Sequence, residues 1–388
     1  MTGEERPRKK KRRLIGIVGS LLSLAALTYI AIMLVSGRDL SLTWLSDLFS
    51  GHEPVGMADE FSFDVGRDRV FADLGGPLVS AGTLGVQVLN TGGEETLRDP
   101  FRMSHPAIDA ISGHAIVFDI GGTAVRVLSE NKTVTAIDAG NAILSASINR
   151  NGWFCVCTQG VGGFKGVTTV YNNKGNAVYS VSLSSGYVLS AALSPDNRSL
   201  AVLNLTDESS RVTFYNGLIS ETADCVFDLP GELILDIWYP PDGELVAIST
   251  KSFISVDKNG ESRELYYFSG RRLGAYSFSD DFYALYLLDY GVGFRGQLVT
   301  LGADGIIIGE LTTDRELVSM SSGDGYLAVL RSDGFSFYNA KLNELPPTGG
   351  RKSIQGANRI LMLGDGAALA TGEHLAVIIR SAERSFDH

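Results

Sequence analysis

Residues 191–203 read AALSPDNRSLAVL, which is an apolar run, a tight turn of Ser, Pro, Asp and Asn, and a second apolar run. Residues 236–248 repeat this arrangement as DIWYPPDGELVAI. Short apolar runs that end at turn residues are typical of β-hairpins. Further copies begin at Ser145, Ala275 and Val318, and weaker ones begin at Arg69, Ala107 and Arg359. The sequence therefore predicts a repeated unit of strand, turn and strand.

The copies recur roughly 40 residues apart, which is the period of a β-propeller blade. A third apolar run follows each copy, as in RVTFYNG at 211–217, and usually a fourth, as in AVYSVSL at 177–183. One such sheet cannot bury both of its faces alone, so neighbouring sheets must stack to form a continuous core. We therefore predict an all-β fold, a β-propeller over residues 57–380, with eight blades and with seven as the alternative.

Two turn segments resemble those of known propellers. SPDNRSLAV (194–202) and PPDGELVAI (240–248) are similar to the turn between strands in WD40-like, TolB-like and quinoprotein-like propellers. The resemblance extends over most of the predicted propeller, although the Trp-Asp mark of WD40 repeats is absent. It implies the fold and no particular activity.

The two ends of the repeat predict how the ring closes. The last copy offers three strands, at 359–363, 367–371 and 374–380, before the polar tail 381–388. One outer strand is missing there, and FSFDV (Phe61–Val65) precedes the first copy as a spare strand. We expect this N-terminal strand to complete the last blade and remove its exposed edge.

Residues 14–37 read LIGIVGSLLSLAALTYIAIMLVSG and contain no charged side chain. A helix of this length, at about 1.5 Å per residue, spans a hydrocarbon core of about 30 Å. Residues 1–13 carry seven basic side chains, and such a cluster beside a first span stays in the cytoplasm. We therefore predict a cytoplasmic tail (1–13), a transmembrane signal anchor in the lipid bilayer (14–37) and an extracytoplasmic domain at the cell membrane.

Two other interpretations of this end carry less weight. PRKKKRR (7–13) also fits a nuclear localisation or nucleic-acid patch, and a cleaved signal peptide would have a shorter apolar core.

We predict that residues 38–56 form a juxtamembrane linker with a short amphipathic helix, because Leu42, Leu45 and Phe49 recur at helical spacing. These apolar residues suit either the membrane interface or the base of the domain. The layout as a whole resembles single-pass Gram-positive bacterial proteins of a family of unknown function.

The charge beyond residue 13 is strongly acidic. This part has 26 basic and 42 acidic side chains, a net charge near −16. A nucleic acid or an anionic lipid surface would repel such a domain at long range. We therefore predict no nucleic-acid partner, and a protein, a peptide or a glycan remains open.

The cysteines and histidines do not form a recognisable site. Cys155, Cys157 and Cys225 are too few for a disulfide framework, and the first two would share one face of a strand as packing thiols. The five histidines stand at no metal-ligand spacing, and they are His52, His105, His114, His374 and His388. Three glycosylation sequons, at Asn131, Asn197 and Asn204, are within chance for this composition. We predict no catalytic, cofactor-binding or metal-binding residue.

Acidic residues recur in the predicted turns. They are Asp196, Asp242, Asp280, Asp281, Asp324 and Asp365. Carboxylates could serve glycoside hydrolysis or calcium binding, but Asp in a tight turn usually bonds its own backbone. Two functions remain: a non-catalytic binding or scaffold module for an envelope protein, peptide or glycan, and, as the alternative, an extracytoplasmic hydrolase or quinone-dependent dehydrogenase.

Overall fold

The strand pattern folds as expected into blades. A computed structural model describes residues 63–90, 93–111, 113–207, 209–241, 243–291, 293–348, 354–363, 366–372 and 376–381. Within these residues, thirty-two strands form eight antiparallel sheets of four strands each. The fold is therefore an eight-bladed β-propeller.

The first four blades follow the chain order from the inner to the outer strand. Blade 1 comprises β1 (Val70–Asp73), β2 (Leu78–Gly82), β3 (Gly85–Leu89) and β4 (Glu95–Pro100). Blade 2 comprises β5 (Pro106–Ile111), β6 (His114–Asp119), β7 (Ala124–Ser129) and β8 (Lys132–Asp138). Blade 3 comprises β9 (Ile143–Ile148), β10 (Phe154–Gln159), β11 (Gly166–Tyr171) and β12 (Ala177–Leu183). Blade 4 comprises β13 (Tyr187–Leu193), β14 (Ser199–Leu205), β15 (Ser210–Asn216) and β16 (Cys225–Asp228).

The next three blades repeat this order, and the last one departs from it. Blade 5 comprises β17 (Ile234–Trp238), β18 (Leu245–Ser249), β19 (Ser252–Val256) and β20 (Ser262–Tyr267). Blade 6 comprises β21 (Arg272–Phe278), β22 (Tyr283–Leu288), β23 (Gly296–Leu301) and β24 (Ile307–Thr313). Blade 7 comprises β25 (Leu317–Gly323), β26 (Tyr326–Arg331), β27 (Gly334–Asn339) and β28 (Glu344–Leu345). Blade 8 comprises β29 (Pro347–Thr348), β30 (Ala357–Met362), β31 (Ala367–Gly372) and β32 (Ala376–Ser381).

The inner strands run side by side along a central channel. The strands β1, β5, β9, β13, β17, β21 and β25 all end around one mouth of this channel. We call that side the upper face; it also carries the hairpins between first and second and between third and fourth strands. The opposite side, the lower face, carries the hairpins between second and third strands and the connections between blades.

The turn that indicated the fold forms as its residues require. The Ser194 hydroxyl donates to Asp196 Oδ1 at 2.6 Å, and the Arg198 amide donates to the same oxygen at 3.1 Å. Asn197 has a positive φ of 62°, a conformation that Asn tolerates better than most residues. The Ser194 amide donates to the Ser199 carbonyl at 2.8 Å. The side chains therefore close the hairpin between β13 and β14.

The core consists of apolar layers between neighbouring blades. In the described part of the chain, each of the eight blade junctions holds one buried cluster. The junction of blades 3 and 4 contains Cys155 and Cys157 side by side, which confirms them as packing thiols. The junction of blades 8 and 1 is built on Leu78, Leu369 and Ile378 and has the fewest buried members among these clusters. Since β30 also contacts β1, the ring is closed.

The predicted closure by Phe61–Val65 is wrong. The outer strand of blade 8 is β29, in which Pro347 pairs with Ser381 and Thr348 with Arg380. A single residue separates β29 from β28, so the chain crosses directly from the outer edge of blade 7 to that of blade 8. Proline is acceptable on such an edge because no further strand needs its amide. The edge is therefore already paired by a nearby segment.

The N-terminal residues lie instead between blades 8 and 1. The Phe63 ring packs against Phe71 at 4.9 Å between centroids and belongs to the cluster of that junction. Val65 is buried, and its carbonyl accepts a hydrogen bond from the Leu84 amide at 2.9 Å. A Cβ at Gly82 would lie 2.4 Å from this carbonyl oxygen. Glycine at position 82 therefore makes room for the segment.

Three predicted regions lie outside the described residues. They are the cytoplasmic tail (1–13), the transmembrane segment (14–37) and the juxtamembrane linker (38–56). In the described part of the chain, no helix has the length and hydropathy that a membrane span requires.

The position of Val65 yields a first prediction. Gly82→Ala should displace residues 63–66 from the junction of blades 8 and 1 and destabilise the protein by ~1–3 kcal/mol, because the added methyl meets backbone. The control is Gly291→Ala, since a Cβ there meets nothing within 4 Å. Thermal unfolding followed by circular dichroism measures both variants. Equal melting temperatures for the two would contradict the assigned packing.

Candidate functional site

The upper end of the channel opens into a cavity. Its cavity has a volume of about 640 Å³ and is lined by the inner strands of blades 1 to 7 and by the hairpins that follow them. The lower end of the channel forms a smaller space of about 390 Å³, lined by apolar residues such as Leu235, Leu273 and Val318. The two ends therefore differ in size and in chemistry.

Carboxylates dominate the upper cavity. Its lining includes six aspartates: Asp73, Asp109, Asp236, Asp280, Asp281 and Asp324. Among its described lining residues, Arg150 is the one basic side chain. A concave wall of one charge sign focuses the field and attracts ions of the opposite sign. The cavity therefore favours a cationic group.

Asp109 lies inside the channel on β5. Its Oδ2 accepts a hydrogen bond from the amide of Ile148, in the next blade, at 2.9 Å. Burial raises the pKa of Asp109 to about 6, the Ile148 hydrogen bond opposes this rise, and the Asp236 carboxylate adds to it. This carboxyl group therefore changes its charge closer to neutral pH than an ordinary aspartate.

Asp236 lies on β17, three blades further round the ring. The Tyr276 hydroxyl donates to its Oδ2 at 3.1 Å, and the Ile237 amide donates to its Oδ1 at 2.9 Å. Burial raises the pKa of Asp236, and these two hydrogen bonds partly offset the rise. Burial and the Asp236 charge raise the pKa of Tyr276, so the phenol remains a donor at neutral pH.

An ion pair bridges the mouth of the cavity. Arg150, in the hairpin of blade 3, donates to a carboxylate oxygen of Asp280, in the hairpin of blade 6. Their side chains are 33% and 51% exposed, so the pair contributes only about 0–1 kcal/mol. A charged ligand can therefore compete for either partner.

Other aspartates at the rim bond to backbone amides. Asp281 accepts from the Gly325 amide of the next blade at 2.7 Å. Asp73 accepts from the amides of Gly75 and Gly76 at 3.0 and 2.9 Å, and burial raises its pKa. These bonds fix the carboxylates without neutralising them. The rim therefore presents oriented negative charge.

The aspartates predicted in turns divide into three groups. Asp196 is exposed and closes its own turn, as the sequence predicted. Asp280, Asp281 and Asp324 come together at the upper cavity. Asp242 and Asp365 lie outside the described residues. The prediction of a purely structural role is therefore incomplete for Asp280, Asp281 and Asp324.

Sequence reasoning missed Asp109, Asp236 and Arg150. The first two are single carboxylates within apolar strands, PAIDAI and ILDIW. A charge inside an otherwise apolar strand was the signal that could have found them, because it must face a partner or a channel. Arg150 had no such signal, since a basic residue in a turn is ordinary. Only the ring geometry brings the three together.

The remaining candidate residues lie elsewhere. His105 is exposed and His114 is half-buried, and His52, His374 and His388 lie outside the described residues. No group of three His, Cys, Asp or Glu side chains in the described part is arranged to hold a metal ion.

Burial raises the pKa of the Cys155 and Cys157 thiols. Of the sequons, Asn131 is exposed, Asn197 half-buried, and Asn204 only 2% exposed on β14.

The raised pKa of Asp109 yields a prediction on pH dependence. The folded protein keeps the Asp109 proton up to about pH 6, whereas the unfolded chain loses it near the ordinary aspartate pKa of 3.8. The free energy of unfolding should therefore fall as the pH rises from 3.8 to about 6. Asp109→Asn keeps an oxygen for the Ile148 amide and removes this loss. Its melting temperature should exceed that of the wild type above about pH 7 and approach it near about pH 4.

Melting curves between these pH values test the assignment. The control is Asp196→Asn, because that carboxylate is exposed and bonds within its own turn. A pH profile of Asp109→Asn that runs parallel to the wild type would refute the role of burial at this position.

Several solved propellers are similar in structure to this chain. BamB from Moraxella catarrhalis is 14% identical, with a TM-score of 0.51 over 86% of this chain and 98% of that chain. The C-terminal WD40 domain of Sif2 is 12% identical, with a TM-score of 0.59 over 86% and 98%. The propeller domain of Cps50 (Swd1) from Myceliophteria thermophila is 10% identical, with a TM-score of 0.51 over 73% and 99%. At these identities the likeness shows the fold alone.

The sequence comparisons identify a family and likewise assign no activity. No curated protein matches the chain. The model of a family of unknown function (DUF5711) matches residues 57–345, which is most of the chain and covers blades 1 to 7. The protein therefore belongs to the family of unknown function DUF5711, and its fold is that of the β-propeller superfamily.

Proposed function

We propose that the protein is a membrane-anchored, extracytoplasmic propeller that acts as a non-catalytic binding module, with its ligand site at the upper cavity. The observation that carries this proposal is the wall of six aspartates around one arginine in a cavity of about 640 Å³. The ligand is a protein or polymer of the cell envelope that inserts a basic group. Lysine and arginine side chains carry the charge that this cavity favours.

Electrostatics support a cationic ligand over other classes. The chain beyond residue 13 has a net charge near −16, so anionic polymers are repelled before contact. The exposed Asp280, Asp281 and Asp324 meet an approaching ligand first, and Asp109 and Asp236 lie deeper. An incoming cation can displace Arg150 from Asp280 at small cost, since the pair is half-exposed.

The anchoring part of the proposal rests on the sequence. The uncharged segment 14–37 follows seven basic side chains, which favours a cytoplasmic N-terminus. A tether holds the propeller near the membrane and raises its effective concentration towards other envelope components. Weak contacts at the upper cavity would then suffice for a specific complex.

A second candidate function is hydrolysis, and the pair Asp109 and Asp236 favours it. Both carboxyl groups lie in the channel, burial raises the pKa of each, and the Asp236 charge acts on Asp109. Glycoside hydrolysis uses a pair of carboxyl groups, and burial favours the protonated form that an acid catalyst needs. Glycan hydrolysis by the purified protein that Asp236→Asn abolishes would replace the binding proposal.

The binding proposal predicts position-dependent capture in cells. A photo-crosslinking amino acid at Asp281, on the rim of the cavity, should capture a defined set of envelope proteins. The matched position is Asp304, in a hairpin of the same blade between its third and fourth strands. It should capture few or none of them. Mass spectrometry identifies the captured proteins, and identical sets from both positions would refute the upper cavity as the site.

The charge of the cavity predicts a second result in the same assay. Asp280→Asn combined with Asp324→Asn should reduce capture at position 281 about tenfold, because the cationic group loses two partners. Asp257→Asn combined with Asp304→Asn changes the same number of charges away from the cavity. Capture by this control should stay near that of the wild type. An equal loss in both variants would indicate general electrostatics and not a site.

The topology is tested separately. Protease added to intact cells, or to spheroplasts if a wall is present, should digest the propeller while a cytoplasmic marker protein remains whole. Protection of the propeller in intact cells, with digestion only after lysis, would overturn the predicted orientation.

A further inference from the structure

We propose that the lower face of the propeller is a lipid-contacting surface that rests on the interfacial region of the bilayer. This inference depends on the anchored topology of the proposed function and concerns the face opposite to the ligand cavity. It begins with apolar side chains that the fold leaves exposed. Large apolar residues are exposed around the lower face: Leu84, Ile120, Val161, Phe164, Tyr187, Leu233, Tyr290 and Phe294.

Two long hairpins carry the most prominent of these residues. Between β10 and β11 of blade 3, Val161 and Phe164 are 60% and 45% exposed. Between β22 and β23 of blade 6, Tyr290 and Phe294 are 81% and 50% exposed. Blades 3 and 6 lie on different sides of the ring, so the four side chains do not form one compact patch. A flat, extended partner can reach all of them, whereas a small globular partner would reach one hairpin.

Hydrogen bonds and an ion pair brace the backbone of both hairpins. In blade 3 the Lys165 amide donates to the Leu183 carbonyl at 2.7 Å. In blade 6 the Tyr286 hydroxyl donates to the Phe294 carbonyl at 2.8 Å, and the Asp289 carboxylate pairs with Arg271 at 3.2 Å. A braced loop has little entropy left to lose on contact. Exposed aromatic side chains of this kind suit the level of the lipid headgroups.

The charges of the lower face point to the same partner. The six carboxylates of the cavity lie on the upper face, whereas the lower hairpins carry both signs of charge. Lys165, Lys251 and Arg295 lie beside the apolar residues, Arg295 pairs with Asp289 at 3.5 Å, and other lower hairpins carry Asp207 and Asp333. The Lys165 ammonium lies 5.4 Å from the centre of the Tyr187 ring, and Arg295 is 76% exposed. The net charge near −16 repels an anionic bilayer surface at long range, so proximity must come from the anchor and not from steering. Once the propeller is held there, the repulsion is smallest when the acidic upper face points away and the cations beside aromatic rings face the headgroups. The charge distribution therefore orients the propeller with its cavity away from the lipid.

The test uses the full chain in nanodiscs that contain zwitterionic and anionic lipids. Single cysteines replace Phe164 and Phe294 on the lower face, and Ile219 and Ile306 serve as matched positions on the upper face, where they are 90% and 66% exposed. Cys225→Ser removes the partly accessible thiol, while Cys155 and Cys157 are buried. Each new cysteine carries an environment-sensitive fluorophore, and nitroxide-labelled lipids serve as quenchers.

The proposal predicts emission at shorter wavelength and strong quenching at positions 164 and 294, at least about twice that at 219 and 306. Equal quenching on both faces, or none on the lower face, would overturn it. If the lower positions stay unquenched and photo-crosslinkers there capture a protein in cells, the lower face is a protein interface and the lipid assignment is wrong.

If residues 14–37 do not span the membrane, the nanodisc experiment gives a different result. A chain that does not enter nanodiscs would overturn the membrane-spanning segment of the proposed function. The same labelled chain is then mixed with anionic vesicles that contain the quencher. Quenching at 164 and 294 alone would keep the lower face as a lipid surface, and its absence would refute it.

Discussion

Every blade must bury both faces of its sheet against its neighbours, and the rest of the molecule follows from this requirement. The second and third strands show it most clearly. In blade 5, for example, every residue of β18 and β19 is buried, although the strands contain three serines. A sheet that is covered on both sides gives continuous apolar runs instead of an alternating pattern. The ring must then close, because an open end would expose one whole face.

The central channel is where this requirement is relaxed. An inner strand has a neighbour on one edge and the channel on the other, so polar side chains there can keep some contact with water. Asp109 and Asp236 occupy such positions, and each is held by an amide of the protein. The ring places both at one cavity although they are far apart in sequence. The site thus arises from closure and not from any local motif.

This distinction explains how much of the structure could be predicted from the sequence. The strand and turn repeats predicted the blades, because turn residues such as Ser194 and Asp196 act within a few residues of themselves. The outer strand of blade 8 was not predictable in this way, since β29 has only two residues and one is a proline. The upper cavity was missed for a related reason. Its carboxylates come from different blades, and no sequence spacing reports contact between them.

The upper cavity also carries an electrostatic cost that argues for a function. Six aspartates around one channel repel one another, and burial raises the pKa of Asp73, Asp109 and Asp236. Apolar side chains in the same strands would avoid both penalties. Local rules of this kind are broken mainly where a protein binds or reacts. The lower mouth of the same channel is lined by Leu235, Leu273 and Val318, so the fold does not itself require charge in the channel. The acidity of the upper mouth is therefore a property of the site, and a cation that enters it relieves the repulsion.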